Sequence, residues 1–224
     1  MKAFVVDLDS SENQSILKPI ARPFNNQAHQ VNEAAEKIHE LIKNAPYSND
    51  NIVLKRNEIK EAFFSPFKPQ LKNTQVFLSH SHADKNKALE VKDYLESQTK
   101  RKVFIDSLFW DYKDDVLNKL AKHDDISKIE DAFTLILRES LEYMIKKCPY
   151  FVFLQSKNSV SLNQDLLGIT HSAWIYEELK IAHSISESRP IPMMESMQLF
   201  HDISLFLKSF ETITLKKLSQ QINS

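Results

Sequence analysis

Ionisable and hydroxyl side chains follow three apolar runs of this sequence, each near the point where the run ends. Ser79 and His80 follow the run VFL, Asp106 follows VFI, and Ser156 follows FVFL after one intervening residue, Gln155. Such short runs, rich in β-branched and aromatic residues, are typical of buried strands. In open α/β sheets, ligands bind in the crevice beyond the carboxyl ends of the strands. The sequence therefore predicts a ligand site to which these four side chains contribute.

Trp174 and Glu178 form a further pair that could do chemistry. Four residues apart on a predicted helix, they share one face and can line one pocket. A carboxyl group beside an indole is partly desolvated, so its pKa tends upward and its carboxylate becomes a better base or ion-pair partner. The same spacing also fits a half-buried tryptophan and a solvated glutamate. The pair alone leaves both interpretations open.

A repeated strand–helix order positions these residues. Apolar runs predict strands, and apolar positions at helical spacing predict helices, in the order strand 75–78, helix 85–98, strand 102–105, helix 126–148, strand 150–154 and helix 172–184. The polar stretch 107–125, which contains Phe109 and Trp110, is expected to be a long loop. Strands that alternate with helices favour right-handed crossovers and a mostly parallel sheet. We therefore expect an α/β fold.

The segments on either side of this region are expected to lie outside the sheet or at its edge. Residues 1–73 are predicted to form a mixed or mainly helical extension, with prolines near its end marking the domain border. The elements predicted outside the central region are strands at 3–8, 52–54 and 191–193 and helices at 31–42, 59–64, 197–207 and 215–222. The last helix, within 211–224, is expected to pack on the sheet domain.

The composition excludes several classes of function. The 224 residues include 29 basic and 30 acidic side chains, so no broad attraction to nucleic acid or to an anionic membrane is expected. Gly168 is the only glycine, which rules out the glycine-rich loops that hold phosphates or dinucleotides. The single Cys148 excludes an intrachain disulfide and is predicted to be a buried thiol. No apolar run approaches the roughly 20 residues of a membrane span, so we expect a cytoplasmic protein.

Four fragments of the sequence, VFLSHSHADK, KVFID, FVFLQS and SAWIYEELKIA, together resemble the TIR (Toll/interleukin-1 receptor) domain in its bacterial form. They occur in the order that the family shows, across roughly residues 74–210. The third fragment has Gln155 where the family usually has serine, and the loop expected after Asp106 is longer than usual and lacks glycine. The resemblance implies a flavodoxin-like parallel sheet with helices on both faces over this range.

Many bacterial TIR domains cleave NAD⁺ at the nicotinamide–ribose bond, and the resemblance implies the same activity here. It makes Glu178 the catalytic residue and Trp174 a ring that stacks on the substrate. The other substrate contacts that it implies are Ser79, His80, Asp106, Phe109, Trp110 and Ser156. NAD⁺ is then the substrate rather than a cofactor, and no metal is implied. The implied product is an ADP-ribose-type nucleotide, cyclic or conjugated if a second nucleophile replaces water.

The resemblance also implies partners and a biological setting. TIR domains self-associate, and those of Thoeris-type anti-phage defence in bacteria make a nucleotide signal that a downstream effector senses. Other TIR domains are non-catalytic scaffolds that assemble protein partners. This scaffold role is the alternative to the enzyme.

The segment that contains His80, His82 and Asp84 has two further interpretations. It is similar to the first metal-ligand cluster of metallo-β-lactamase-like hydrolases, but that cluster has another histidine directly after the aspartate, where this chain has Lys85. Alternatively, both histidines are solvated loop residues, and Asp84 caps the helix that begins there.

Overall fold

The computed structural model describes residues 1–19, 28–48, 51–52, 54–66, 68–123, 126–160, 169–170, 172–187 and 201–224. The strands in these residues are β1 Lys2–Asp7, β2 Tyr47–Ser48, β3 Asn51–Ile52, β4 Thr74–Ser79, β5 Lys102–Ile105, β6 Tyr150–Gln155, β7 Ile169–Thr170, β8 His201–Asp202 and β9 Glu211–Thr212. The helices are α1 Ser11–Ile16, α2 Ala28–Lys43, α3 Arg56–Phe64, α4 Lys68–Leu71, α5 Lys85–Thr99, α6 Asp106–Leu120, α7 Ser127–Lys147, α8 Ala173–Glu187, α9 Ser204–Ser209 and α10 Leu215–Asn223, with a 3₁₀ turn at His82–Asp84.

The chain forms two compact units. The first contains residues 1–21, 73–107 and 141–224, and the second contains residues 22–72 and 108–140. Each unit is therefore assembled from segments that lie far apart in the sequence. The border expected near residue 73 is one of several places where the chain passes from one unit to the other.

A five-stranded parallel sheet with the strand order β5-β4-β6-β1-β9 forms the centre of the first unit. The predicted α/β class and parallel sheet are confirmed, and the flanking helices agree with a flavodoxin-like fold. The inner strands β4 and β6 are almost continuous apolar runs, as expected of parallel strands that are buried on both faces. Phe77 and Phe151 on these strands are fully buried and stack with their ring centroids 5.7 Å apart.

The first strand of the chain lies inside this sheet. β1 pairs with β6 along its whole length, from Lys2 to Asp7, and with β9 on its other side. Residues 4–6 form an apolar run that is as buried as those of β4 and β6, which favours an internal position. The expectation that residues 1–73 form an extension outside the sheet is therefore wrong for this strand. Numbered along the chain, the five strands have the order 3-2-4-1-5. This differs from the flavodoxin order 2-1-3-4-5 because the strand in the fourth place comes first in the chain instead of after β6.

Asn13 connects the two ends of the chain within the first unit. Its buried side chain accepts a hydrogen bond at Oδ1 from the backbone N–H of Leu215, at 2.9 Å, and donates one from Nδ2 to the carbonyl oxygen of Asp7, at 2.7 Å. The helix predicted at 215–222 is present as α10, and it packs against α5. One amide side chain thus joins the end of β1 to the start of the last helix.

The segment expected to be a loop at 107–125 is largely the helix α6. Its buried residues Leu108, Tyr112, Val116 and Leu120 recur every four positions, which is the spacing of one helix face. Charged, aromatic and other residues are mixed at the positions between them, and this mixture obscures the period in the sequence. Because the buried face is continuous from the first turn to the last, the segment folds as a helix.

The second unit has an aromatic core around Phe63. This ring is completely buried and lies 5.0 to 6.0 Å, between centroids, from the rings of Phe64, Phe109, Tyr112 and Phe133. The hydroxyl of Tyr112 donates a hydrogen bond to the Phe63 carbonyl oxygen at 2.7 Å. The buried hydroxyl is therefore satisfied, and the cluster joins α3, α6 and α7.

The remaining element predictions have mixed outcomes. The helices expected at 31–42 and 59–64 are present as α2 and α3, whereas the strand expected at 52–54 is described only as β3. Within 197–207, the described residues form β8 and then α9 rather than one helix. The strand predicted at 191–193 lies outside the described residues.

Cys148 is buried, as predicted, and burial raises the pKa of its thiol to about 12. A thiol with such a pKa stays protonated at neutral pH and is a poor nucleophile. In the part of the chain that the structure describes, no helix has the length and apolar character needed to cross a membrane.

Candidate active site

The carboxyl ends of β4 and β6 mark the point where the strand order reverses. From β4 the chain continues to β5 on one side and later to β6 on the other, and such a switch point opens a crevice beyond the strand ends. Ser79 is the last residue of β4 and His80 follows it, while Asp106 begins α6 directly after β5. Parallel pairing of β4 with β5 brings these side chains to the same edge of the sheet, as the sequence predicts.

His80 and Asp106 form a close buried pair at this edge. Nδ1 of the imidazole lies 2.5 Å from Oδ1 of the carboxyl group, and the side chains are only 1% and 6% exposed. The ring is not oriented for a hydrogen bond along this line, so the two groups are in close contact without an aligned hydrogen bond. The same Oδ1 accepts the backbone N–H of Ser107 at 2.7 Å.

Glu178, on α8, lies beside Asp106 and Ser79, and these three side chains form the acidic cluster of the site. It has no exposed surface, and it is close enough to Asp106 and Ser79 for both to affect its carboxyl group. Burial is the largest cause that raises its pKa well above the usual value, and the negative charge of Asp106 raises it further, while the Ser79 hydroxyl acts in the opposite direction. In this conformation, Glu178 therefore favours the neutral carboxylic acid.

Several buried polar atoms at this edge have no hydrogen-bond partner in good geometry among the described residues, although Ser79 and Asp106 lie close to Glu178. These atoms are the hydroxyl oxygens of Ser79 and Ser107, both ring nitrogens of His80 and both carboxyl oxygens of Glu178. Buried polar atoms in folded proteins are nearly always paired, so a concentration of unpaired ones needs a functional explanation. A ligand or water that satisfies these atoms is the simplest one, and it identifies the cluster as the candidate active site.

Trp174 lies one helical turn before Glu178 on α8, as the sequence predicts. It is partly exposed, whereas Ile175, Glu178 and Leu179 are buried. Residues four apart on a helix are neighbours on its surface, so this indole borders the same side of α8 as the buried acid. Trp174 is thus the more accessible member of the pair.

Ser156 has a different environment from the one the sequence predicts. Its hydroxyl donates to Oδ2 of Asp84 and accepts the backbone N–H of Asn158, and the Asn158 amide donates to Oδ1 of Asp84 at 2.8 Å. These bonds tie the loop after β6 to the 3₁₀ turn before α5. Asp84 makes no side-chain cap at the start of α5, so its predicted role as a helix cap is wrong. The Ser156 hydroxyl, which was predicted to contact the substrate, is used instead in a buried hydrogen bond to Asp84.

Phe109 and Trp110, also predicted to contact the substrate, belong to α6 within the second unit. Phe109 is only 2% exposed, and its ring packs against those of Phe63 and Phe64. It is a core side chain because the segment is a helix rather than a loop. Trp110, on the same helix, is partly exposed, and its predicted contact with the substrate stays a prediction.

Asp9 is a residue at the same sheet edge that sequence reasoning missed. Its carboxylate accepts the backbone N–H of Lys157 at 3.0 Å and lies 3.1 Å from Nζ of Lys87. The Lys157 hydrogen bond is the largest cause that holds the pKa of Asp9 below its usual value, and Lys87 adds to it. The signal is present in the sequence, because Asp7 and Asp9 follow the run 4–6 as polar residues follow the other strands, but the prediction treats residues 1–73 as an extension.

The histidine segment shows no metal-ligand geometry. His82 is exposed on the 3₁₀ turn, whereas His80 is buried against Asp106. Among the described residues, no three or more histidine, cysteine, aspartate or glutamate side chains are grouped so as to hold a metal ion.

Comparison with protein-family models, curated proteins and solved structures gives no match for this chain. The class of the protein therefore follows from its fold and site. It is an α/β protein with a five-stranded parallel sheet and a buried acidic cluster at the carboxyl edge of that sheet.

Proposed function

We propose that this protein cleaves NAD⁺ at the nicotinamide–ribose bond, with the carboxylate of Glu178 as the catalytic group. The observation that carries the proposal is the cluster of Glu178, Asp106 and Ser79, whose carboxyl and hydroxyl groups are buried together at the carboxyl edge of the sheet. A resemblance to bacterial TIR domains supports the choice of substrate. Trp174, partly exposed one turn from the acid, is the ring that stacks on NAD⁺.

Cleavage of the nicotinamide–ribose bond requires mainly a negative charge beside the ribose. Nicotinamide in NAD⁺ is a cationic leaving group, so it departs with the bonding electron pair and needs no general acid. Positive charge then develops on the ribose, and a carboxylate beside it lowers the energy of this oxocarbenium-like state, as in glycoside hydrolysis. Water attacks the ribose carbon and loses a proton, which gives ADP-ribose. Attack by a nucleophile of the substrate itself, or of a second molecule, gives a cyclic or conjugated nucleotide instead.

The raised pKa of Glu178 agrees with this role if the substrate changes it. Burial and Asp106 favour the neutral acid in the conformation described here. A cationic nicotinamide ring next to the carboxyl group favours the ionised form, because an opposite charge lowers the pKa of an acid. Substrate binding thus supplies the charge state that the reaction needs.

The test is an assay of nicotinamide release from NAD⁺, with mass spectrometry to identify the nucleotide product. Wild-type protein is expected to release nicotinamide, and Glu178→Gln to lose about 100-fold or more of the rate, because the amide cannot carry the charge. Glu177→Gln is the matched control, since that side chain is partly exposed and lies within 3.7 Å of Lys180 instead of in the cluster. A Glu178→Gln variant with full activity would contradict the proposal.

A non-catalytic scaffold that assembles protein partners is the second candidate. The observation that favours it is the complete burial of Glu178, which leaves no surface for a substrate in this conformation. The two candidates separate in bacterial cells that express the protein and are infected with phage. An enzyme of anti-phage defence lowers cellular NAD⁺ and makes a nucleotide that an effector senses, and Glu178→Gln abolishes both. A scaffold protects the cells equally well with either residue.

A further inference from the structure

His80 contacts the acidic cluster through Asp106. The imidazole follows β4 and is 1% exposed, and its Nδ1 lies 2.5 Å from Oδ1 of Asp106. Asp106 in turn acts on the carboxyl group of Glu178 through its charge. The three ionisable side chains therefore form a chain of contacts, with His80 at one end and the proposed catalytic residue at the other.

The charge states of His80, Asp106 and Glu178 depend on one another. Two carboxylates in a site with little water repel each other strongly, so one of them keeps a proton unless a positive charge compensates. The reaction proposed above requires an ionised Glu178, and Asp106 is the acid whose charge opposes this. A protonated imidazole against Asp106 removes the conflict, because it neutralises the carboxylate that faces Glu178.

We propose that His80 is a positioning residue whose imidazolium neutralises Asp106 and so allows Glu178 to hold a negative charge. The inference rests on the proposed NAD⁺ cleavage and deepens it. His80 is not a substrate contact in this role, since both of its ring nitrogens are buried and one faces Asp106. Nδ1 lies 2.5 Å from Oδ1 of Asp106, so a positive charge on the ring stands directly beside the carboxylate that it neutralises.

Two further ionisable groups near these elements are buried but have partners of their own. Asp84, four residues after His80, accepts hydrogen bonds from Ser156 and Asn158. Nδ1 of His183, on α8, lies 2.8 Å from the Ser209 hydroxyl.

The elements packed against α8 include β1, β8 and α9, whose charged residues Lys2, Asp7, Asp202 and Lys208 are exposed. On the neighbouring strand β5, Lys102 is exposed as well. Exposed charges are screened by water and act weakly on a buried group. Asp106 is thus the charged side chain that acts on Glu178, and His80 reaches Glu178 only through its contact with Asp106.

His80→Asn is the variant that tests the charge. The asparagine amide can keep a hydrogen-bond donor near the Nδ1 position, but it cannot be protonated. We expect the acidic limb of the pH profile of kcat to move up by about one pH unit or more, with kcat near neutral pH about tenfold lower. His82→Asn is the matched control, because that histidine is exposed two residues further on. An unchanged limb in His80→Asn would overturn the inference.

The double variant His80→Asn/Asp106→Asn separates charge balance from structural damage. Without the charge of Asp106, Glu178 no longer needs a compensating cation, so its titration should return to the wild-type pH or below it. If the role of His80 is purely structural, the second substitution should lower kcat further and leave the acidic limb of the pH profile at its shifted position. That additive result would overturn the inference.

A spectroscopic measurement keeps the inference testable without activity. The infrared carbonyl band of the protonated Glu178 side chain can be assigned by its loss in Glu178→Gln and followed with pH. We expect His80→Asn to keep this band to higher pH than wild-type protein. If wild-type protein releases no nicotinamide but the band shifts as expected, the proposed function fails and the charge coupling stands. If His80→Asn does not fold, the ¹⁵N chemical shifts of the His80 ring in wild-type protein report whether the ring is charged. A neutral ring at a pH at which Glu178 is ionised would overturn the inference.

Discussion

The carboxyl group of Glu178 has no contact with solvent, and the ionisable group that acts on it is another acid. Burial of a carboxyl group without a hydrogen-bond partner costs free energy, and packing alone would be served better by an apolar side chain. The neighbouring Ser79 and Ser107 hydroxyls are also buried without partners in the described residues. An arrangement that lowers stability in this way is expected at functional sites, where stability is exchanged for reactivity.

The pH dependence of stability tests this burial directly. The folded-state pKa of Glu178 is raised above its ordinary value of 4.5. Below pH 4.5 both the folded and the unfolded states are protonated, and the folded state has no ionisation penalty. As the pH rises toward the folded-state pKa, the unfolded chain ionises first, so the free energy of unfolding falls relative to Glu178→Gln. The slope is at most about 1.4 kcal/mol per pH unit.

The measurement is urea unfolding of wild-type protein and of Glu178→Gln between pH 4 and pH 8. The difference in the free energy of unfolding should grow with pH in favour of the glutamine variant. Glu177→Gln again serves as the control, because its partly exposed carboxyl group should give a difference that hardly changes with pH. A constant difference between wild-type protein and Glu178→Gln would show that this acid titrates normally.

The helices α1 and α10 are held in the first unit by a side chain as well as by backbone hydrogen bonds. α1 is only six residues long, and a helix of that length is not stable by itself. Asn13 fixes it, since its amide joins the carbonyl oxygen of Asp7 at the end of β1 to the N–H of Leu215 at the start of α10. Both bonds are between segments that are distant in sequence, so they form only in the folded state.

Asn13→Ala is expected to lower the free energy of unfolding by about 1–3 kcal/mol, because the buried N–H of Leu215 and the partly buried carbonyl oxygen of Asp7 lose their partner. The amide of Leu215 should also exchange faster with solvent. Asn44→Ala is a matched control, since that side chain is exposed and bonds only within its own helix region, to Glu40. Its effect should stay within about 0.5 kcal/mol. Equal effects of the two substitutions would contradict the role given to Asn13.

At the scale of the whole molecule, the N-terminal strand is part of the sheet that carries the candidate site. β1 lies between β6 and β9, so its loss leaves two parallel strands without their neighbour. Parallel strands are stable only when paired and covered on both faces. The edge that holds Ser79, Asp106 and Glu178 therefore depends on a strand about 70 residues earlier in the sequence than the TIR-like fragments.

Deletion of residues 1–9 is expected to abolish the cooperative urea transition and to make the protein sensitive to protease. The buried run 4–6 has no substitute in the deleted chain. Lys2→Ala is the control, because that residue is exposed and the strand remains. Addition of a peptide of residues 1–19 should restore part of the structure. A deleted chain that unfolds as cooperatively as the full chain would show that β1 is dispensable.

The sequence alone determined the local elements of this protein. Apolar runs and helical spacing gave β4, β5, β6, α5, α7, α8 and α10 close to their observed bounds, because these signals lie within a few neighbouring residues. The polar residues at the strand ends were found for the same reason. Parallel pairing then placed Ser79 and Asp106 at one edge, as the alternation of strands and helices predicts.

The tertiary structure decided the partners of each side chain. It inserted β1 into the sheet, turned the expected loop into α6 with Phe109 in a core, and gave Ser156 a bond to Asp84. It also placed Glu178 against Asp106 without solvent. Such pairings join residues that are tens of positions apart, and they depend on which surfaces bury each other when the chain closes. No local pattern carries that information.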